Sequence, residues 1–285
     1  MLRLRYATRK SQLALAQSRA FVGTLVGSVP ELLVEELTVT TTGDRVQDRP
    51  LAEIGGKGLF VKEIEEALIE GRADIAVHSS KDVPAELATG LLIGCIPVRE
   101  DPRDVLVSRS GARLAELPAG SRVGTTSLRR RLELLRARPD LEIVPIRGNV
   151  DTRLRKCQEG TVDAIVLARA GLVRLGLGGL ATEVLEPSVC LPAIGQGALA
   201  VERRADDEGS AALLAHVAHA ETTLAVSAER AVLAAVAGDC QTPVAAYATR
   251  EGAELWLRGL LADPDGSNAR RAERRVPWPA SAEEA

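Results

Sequence analysis

Lys81 and Asp82 stand side by side in residues 72–84, which read RADIAVHSSKDVP. An ammonium beside a carboxylate favours the ionised acid. An ionised carboxylate can stabilise a cationic intermediate or move a proton. The residues before the pair supply a carrier. Ala73-Asp74-Ile75-Ala76-Val77 is short and apolar at most positions, which predicts a strand buried on both faces. His78, Ser79, Ser80, Lys81 and Asp82 then fall at its carboxyl end, where open α/β sheets bind ligands. A solvated turn after a strand would read the same way from this stretch alone.

Cations gather further on. Residues 121–156 hold ten basic side chains against four acidic ones. Arg129 and Arg130 follow Thr125-Thr126-Ser127 and open a helix predicted from Leu128, Leu132 and Leu135 at i, i+4 and i+7. Cations in a first turn oppose the helix dipole, so a bound anion would explain them. Free N–H groups at helix starts and arginine forks both grip carboxylates. Arg147-Gly148-Asn149 follows another strand, and Arg153 comes on a helix whose inward face is Val150, Leu154 and Cys157. Cys240 stands in Gly238-Asp239-Cys240-Gln241-Thr242-Pro243, between a helix and a strand and outside any apolar run. Such a loop cysteine invites a chemical role, or is simply a free thiol. Lys57, in Gly55-Gly56-Lys57-Gly58, is a solvated loop lysine or a group able to approach an anion; the run lacks full phosphate-loop spacing.

The elements that must hold these residues read as two halves of one plan. Residues 2–7 predict a strand, and Thr8-Arg9-Lys10-Ser11 leads into a helix capped by Ser11 and buried through Leu13, Ala16, Ala20 and Phe21. A second strand covers 32–41. A helix then carries Phe60, Ile64, Ala67 and Leu68, the strand before Asp82 follows, and another spans 91–97. The charged connector Arg99-Glu100-Asp101-Pro102-Arg103-Asp104 marks a boundary. Beyond it the order recurs, down to Glu159-Gly160-Thr161-Val162-Asp163 before a strand, as Glu70-Gly71-Arg72-Ala73-Asp74 stands before the earlier one. A chance likeness of generic α/β turns is the alternative to a true repeat. Leu191-Pro192-Ala193-Ile194-Gly195-Gln196-Gly197 is a second connector, back to the first lobe. The expected fold is α/β, two lobes with a cleft between them plus a small α+β C-terminal domain. The expected domains are residues 1–97 with 198–216, residues 103–192, and residues 220–285. The last holds strands at 244–249, 255–262 and about 270–276, with an Asp263-Pro264-Asp265-Gly266 turn.

Bulk properties remove other classes. A chain of 285 residues suits two or three domains. A net charge of −3 and 2% aromatics argue against a nucleic-acid partner. The basic window alone keeps such a module open, with steep salt dependence as its signature. No run approaches the roughly 18 apolar residues of a membrane span. The start MLRLRYATRKSQ has no apolar core or cleavage motif, so a cytoplasmic protein with no membrane partner is expected. Cys95, Cys157, Cys190 and Cys240 are far apart, and His216 and His219 lack a third ligand, so no metal site or disulfide framework is expected.

Taken in order, ATRKSQLALAQ, GGKGLFVKEIE, DIAVHSSKDVP, REDPRDVLVS, GTTSLRRR, IRGNVDTRL, LPAIGQGAL and GDCQTPVAAYA resemble the porphobilinogen deaminase (hydroxymethylbilane synthase) family. The resemblance implies a transferase of porphyrin and heme biosynthesis. It would condense four porphobilinogen molecules head to tail into hydroxymethylbilane, releasing ammonia at each step. It implies a dipyrromethane cofactor, self-assembled from porphobilinogen and held covalently by Cys240 as a thioether. It also implies a monomer with lobes like those of type II periplasmic binding proteins. By the same resemblance Asp82 is the catalytic carboxylate. Ser79, Lys81, Asp82, Thr125, Ser127, Arg129 and Arg130 would surround the cofactor. Arg9, Ser11, Lys57, Arg147, Asn149, Arg153, Arg174 and Gln196 would contact substrate or the growing chain. Each porphobilinogen ring carries an acetate and a propionate, which would account for the arginines. Two residues depart from the family: Glu53 stands where many members have lysine, and Asp239 precedes the cysteine where glycine is common. The amphipathic helix with which members usually end is not evident before Ala285. The competing reading is a non-enzymatic, two-lobed cytosolic binding protein for a small polyanion, which would need the arginines but neither Asp82 nor Cys240.

Overall fold

The computed structural model describes residues 2–45, 61–236 and 242–285. Glu53, Lys57, Phe60, Asp239 and Cys240, singled out above, lie outside them. The chain divides into two compact units, Met1–Arg99 with Ala198–Ser227 and Pro279–Ala285, and Glu100–Gly197 with Ala228–Trp278.

In the first unit β1 (Leu2–Arg9) lies between β2 (Leu32–Val39) and β3 (Ile75–Ser79), parallel to both. β10 (Leu199–Arg204) runs antiparallel to β3 and to β4 (Leu91–Cys95), giving the order β2-β1-β3-β10-β4. The second unit repeats this. β6 (Arg122–Gly124) is parallel to β7 (Glu142–Val144) and β8 (Ala164–Ala168), while β5 (Asp104–Ser108) runs antiparallel to β8 and β9 (Glu183–Leu185). Its order is β7-β6-β8-β5-β9, matching the first sheet strand for strand. In each sheet the antiparallel strand is the one that follows a connector, β10 after Gly197 and β5 after Arg99. The repeat read from the sequence is therefore real at the level of sheet order. Ile75, Ala76 and Val77 are all buried, as a strand covered on both faces requires. A third, antiparallel sheet joins β11 (Val244–Glu251), β12 (Glu254–Leu261) and β13 (Arg270–Pro277), with the Asp263 carbonyl accepting from Gly266 N in the expected turn.

Two helix faces differ from expectation. α1 (Gln12–Ser28) starts at Ser11, whose hydroxyl accepts from Ala14 N at 3.3 Å. It buries Ala14, Gln17, Ser18, Phe21, Val22 and Leu25, while Ala20 is exposed and Leu13 and Ala16 are only half-buried. Turning this face inward covers Val22 and Leu25 instead of two alanines, a larger apolar area. Its polar members are matched: Ser18 shares a 2.7 Å hydrogen bond with Thr8 of β1. Beyond the one-turn α2 (Thr42–Arg45) and α3 (Lys62–Ile69), α4 (Leu128–Ala137) departs further. It buries Arg129, Arg130, Glu133 and Leu134, not Leu128, Leu132 and Leu135, which are half-buried. The charges are inside because they are paired: Glu133 is held by Arg136 and Arg271. Leu132 instead meets the Asp263 turn, where a Cβ on Gly266 would come within 2.9 Å of its Cδ2. The strand before Asp82 also lies two residues later than expected and includes His78 and Ser79. His78 and Ser80 are buried, so this is not a solvated turn. Among the described residues no helix is long and apolar enough to cross a membrane.

Candidate functional site

The first unit builds a pocket at the carboxyl ends of its parallel strands. β1 ends at Arg9, and Ser11 caps α1 just beyond it. β3 ends at Ser79 and turns through a short 3₁₀ segment, Ser80–Asp82. A pocket of about 50 Å³ is lined by Arg9, Ser11, Gln17, His78, Ser79 and Asp82, among others. Four residues chosen from the sequence thus come together. The Ser79 hydroxyl donates to Gln17 Oε1 at 3.0 Å, which ties α1 to β3. Among the described residues the half-buried Asp82 carboxylate has no hydrogen bond or ion pair. Lys81 is exposed on the same turn and is not part of the lining.

The second unit places the remaining candidates at helix starts and in a buried network. Thr125 Oγ1 accepts from Ser127 N at 3.1 Å, and Ser127 Oγ caps α4 by accepting from Arg130 N. Asn149 caps α5 (Val150–Gln158), accepting from Thr152 N at 2.9 Å. Gly148 before it has φ of 115°, and a Cβ there would lie 2.6 Å from Thr152, so only glycine fits. Val150, Leu154 and Cys157 form the inward face of α5, as expected. Arg147 and Asn149 are exposed. Arg153 is half-buried, and among the described residues its side chain makes only a 3.4 Å hydrogen bond to Asn149 O. Burial, and secondarily the Arg130 guanidinium, pulls its pKa down to about 10. An anion is what such a cation lacks. Arg174, on α6 (Arg169–Arg174), donates to Gly197 O at 2.6 Å, and burial lowers its pKa as well.

Asp104 is the residue the sequence reading missed. It opens β5 with no exposed surface. Arg129 Nη1 donates to its Oδ2 and Arg130 Nη2 to its Oδ1, both at 2.7 Å. Gln196 Nε2 donates to Oδ1 at 2.9 Å, and the Cys190 thiol lies 3.2 Å from Oδ2. Burial alone would raise the Asp104 carboxyl, but the two guanidiniums outweigh it and hold it well below the usual carboxylate range. The anion asked for by Arg129 and Arg130 is therefore supplied at least in part by the chain itself. Gln196 is buried in this network, donating also to Pro102 O at 2.6 Å. In the sequence Asp104 ends the charged connector Arg99-Glu100-Asp101-Pro102-Arg103-Asp104. The available signal was an acid directly before the apolar run Val105-Leu106-Val107. Among the described residues no three potential metal ligands gather.

Residues 4–212 match the family described as "Porphobilinogen deaminase, dipyromethane cofactor binding domain", and residues 223–285 match "Porphobilinogen deaminase, C-terminal domain". The chain belongs to the porphobilinogen deaminase family. It is 65% identical over 282 residues to the porphobilinogen deaminase of Sorangium cellulosum (strain So ce56), covering 99% of this chain and 94% of that one. Its activity is that of porphobilinogen deaminase: a transferase of tetrapyrrole biosynthesis that uses porphobilinogen. This overturns the non-enzymatic binding protein as the reading of the chain's function. Among solved structures, the Bordetella pertussis BvgS VFT2 domain (double mutant F375E/Q461E) is similar at 18% identity and a TM-score of 0.44, over 75% of this chain and 86% of that one. The periplasmic aliphatic sulphonate binding protein SsuA of Escherichia coli is similar at 17% identity and a TM-score of 0.44, over 83% and 71%. The donors described suit a dipyrromethane, whose pyrrole rings carry carboxylate side chains: a half-buried guanidinium short of an anion, helix starts and paired arginines.

Proposed function

We infer that the first unit supplies the reacting carboxylate, Asp82, and that the second supplies the groups that bind acidic side chains. The observation that carries this reading is the pocket at the ends of β1 and β3, where Asp82 stands with Arg9, Ser11 and Ser79 and has no hydrogen bond or ion pair among the described residues. Loss of ammonia from the aminomethyl group of porphobilinogen leaves a cation conjugated with its pyrrole nitrogen. A carboxylate held in a small polar pocket stabilises that charge as it develops. The ring that attacks must then lose the proton on its reacting carbon, and Asp82 is the base that takes it. Arg9 would pair with a carboxylate of the incoming molecule. Arg147, Asn149, Arg153 and Arg174 would bind substrate or chain carboxylates. Thr125, Ser127, Arg129 and Arg130, with Ser79 and Lys81, would hold the cofactor. The dipyrromethane, when bound, supplies the primer on which the product is built, and Cys240 would carry it through a thioether. In this reading each five-stranded sheet is a lobe of the type II periplasmic-binding-protein kind, and the enzyme works as a cytoplasmic monomer.

Intact mass tests the attachment. The purified protein is expected to exceed its sequence mass by two linked pyrrole units, and Cys240→Ser to show the sequence mass alone. Excess mass retained in the variant would place the attachment elsewhere. A second measurement tests the arginines. Removing one charged hydrogen-bond donor costs about 1.5–3 kcal/mol, so Arg153→Gln is expected to raise KM for porphobilinogen at least about tenfold. Unchanged steady-state kinetics would take Arg153 out of the binding set.

A further inference from the structure

β3 brings a second titratable residue to the pocket that holds Asp82. His78 lines it while being itself buried. Its Nε2 lies 3.1 Å from Oε2 of Glu202 on β10, with the two side chains 4% and 0% exposed. Ala200 pairs with His78 and Glu202 with Ala76, so the two side chains are diagonal neighbours across the strand pair. The approach does not have hydrogen-bond geometry. Nε2 and both Glu202 oxygens have no hydrogen-bond partner among the described residues. Three such atoms together are rare in protein interiors, where buried polar groups are nearly always bonded. Glu65 on α3 completes the cluster. Burial, and further the charge of Glu202, raises its carboxyl, while Ala88 N donates to Oε1 at 3.2 Å. From the pocket side the charged neighbours are Asp82 and Arg9.

A buried carboxylate and a buried imidazole beside a half-buried carboxylate are stabilised by a proton held among them, because lone buried charges are costly. The pocket in front of them is polar and has room for water. The reaction needs somewhere for a proton to go: every condensation removes one from a ring carbon, and Asp82 must be ionised again before the next.

We propose that His78, with its charge balanced by Glu202, is the relay that discharges Asp82 between condensations. The C–H bond of the attacked ring breaks, and its electron pair restores the pyrrole's aromaticity. The proton passes to the Asp82 carboxylate and from there, directly or across one water, to the His78 imidazole, which releases it to solvent. No electron acceptor is required. Glu202 acts through His78 and is a positioning residue. The proposal rests on Asp82 being the base.

The test uses the full chain carrying its cofactor. His78→Asn keeps a polar group beside Glu202 but cannot accept a proton near neutral pH. It is expected to retain the parent's excess over its own sequence mass and the parent's circular dichroism, to lower kcat roughly 10- to 100-fold with little change in KM, and to lose one limb of the kcat–pH profile. Glu202→Gln should shift that limb, not remove it, and it carries the test if His78→Asn fails to fold. Nitrogen-15 spectra of the imidazoles give a readout independent of turnover. The His78 titration midpoint is expected to move when Asp82→Asn removes the neighbouring charge. A His78→Asn enzyme with parental kcat and a superimposable pH profile overturns the relay, as does a His78 midpoint indifferent to Asp82→Asn. Full activity in Asp82→Asn itself would instead overturn the base on which the relay depends.

Discussion

Asp82→Asn is expected to lower kcat roughly a thousandfold or more, with the melting temperature held within about 2 °C of the parent. The side chain closes the 3₁₀ segment that follows β3 and is half-buried against the pocket. It holds nothing in place, because its carboxylate has no hydrogen bond or ion pair among the described residues. Asparagine has the same shape, so the pocket and the Ser79–Gln17 contact beside it survive. What is lost is charge and basicity at one point. On the proposed reading, the negative charge opposes the cation formed as ammonia departs, and the basic oxygen collects the ring proton afterwards. Both losses act on the reaction barrier and not on ground-state binding, so the effect should appear in kcat with KM little changed. Steady-state turnover measured beside thermal unfolding separates the outcomes. Full kcat would remove Asp82 from the chemistry. A large fall in melting temperature would show instead that its role is structural.

What could be read from the sequence was what is local. Ser11, Ser127 and Asn149 stand directly before their helices and cap them by accepting from the residue three further on, so the helix starts were legible, although only Ser11 was read as a cap. The polar run after an apolar strand placed Arg9, Ser11, Ser79 and Asp82 at strand ends, and the fold brings them to one pocket. The inward faces of α1 and α4 were misread for one reason. An apolar periodicity assumes that polar side chains face water, yet Gln17, Arg129, Arg130 and Glu133 are buried with partners from distant strands. Such pairing joins residues far apart in the chain, as Arg129 joins Asp104, and no local window contains both ends. The pairing of His78 with Glu202 escaped notice similarly, since only the β3–β10 register makes them neighbours. Cys240 and Lys57 rest on the motifs alone, being outside the described residues.

The second large effect is expected at Asp104, and it is one of stability. Asp104→Asn leaves Arg129 and Arg130, both nearly fully buried, without the carboxylate that neutralises them. Asparagine can still accept from one guanidinium, but it brings no charge, and its amide hydrogens point at donors. Removing one partner of a buried ion pair typically costs about 3–5 kcal/mol, because the other charge stays desolvated. For a chain of this size that corresponds to a fall in melting temperature on the order of 10 °C. The sign of the pH dependence follows from the lowered carboxyl. A depressed pKa stabilises the folded state fully above the unfolded aspartate value of about 3.9. That contribution fades as pH falls below this value toward the folded one. The parent should therefore lose stability on acidification through this range, and Asp104→Asn should lose less, so the two melting curves converge at low pH. Cofactor occupancy by intact mass adds an independent reading. If Asp104 fixes the arginines that receive the dipyrromethane, the variant should be isolated largely without it. Melting temperatures that stay apart down to acidic pH would assign the stability loss to packing and not to the ion pairs. Full occupancy in the variant would show that cofactor loading does not depend on the Asp104 carboxylate.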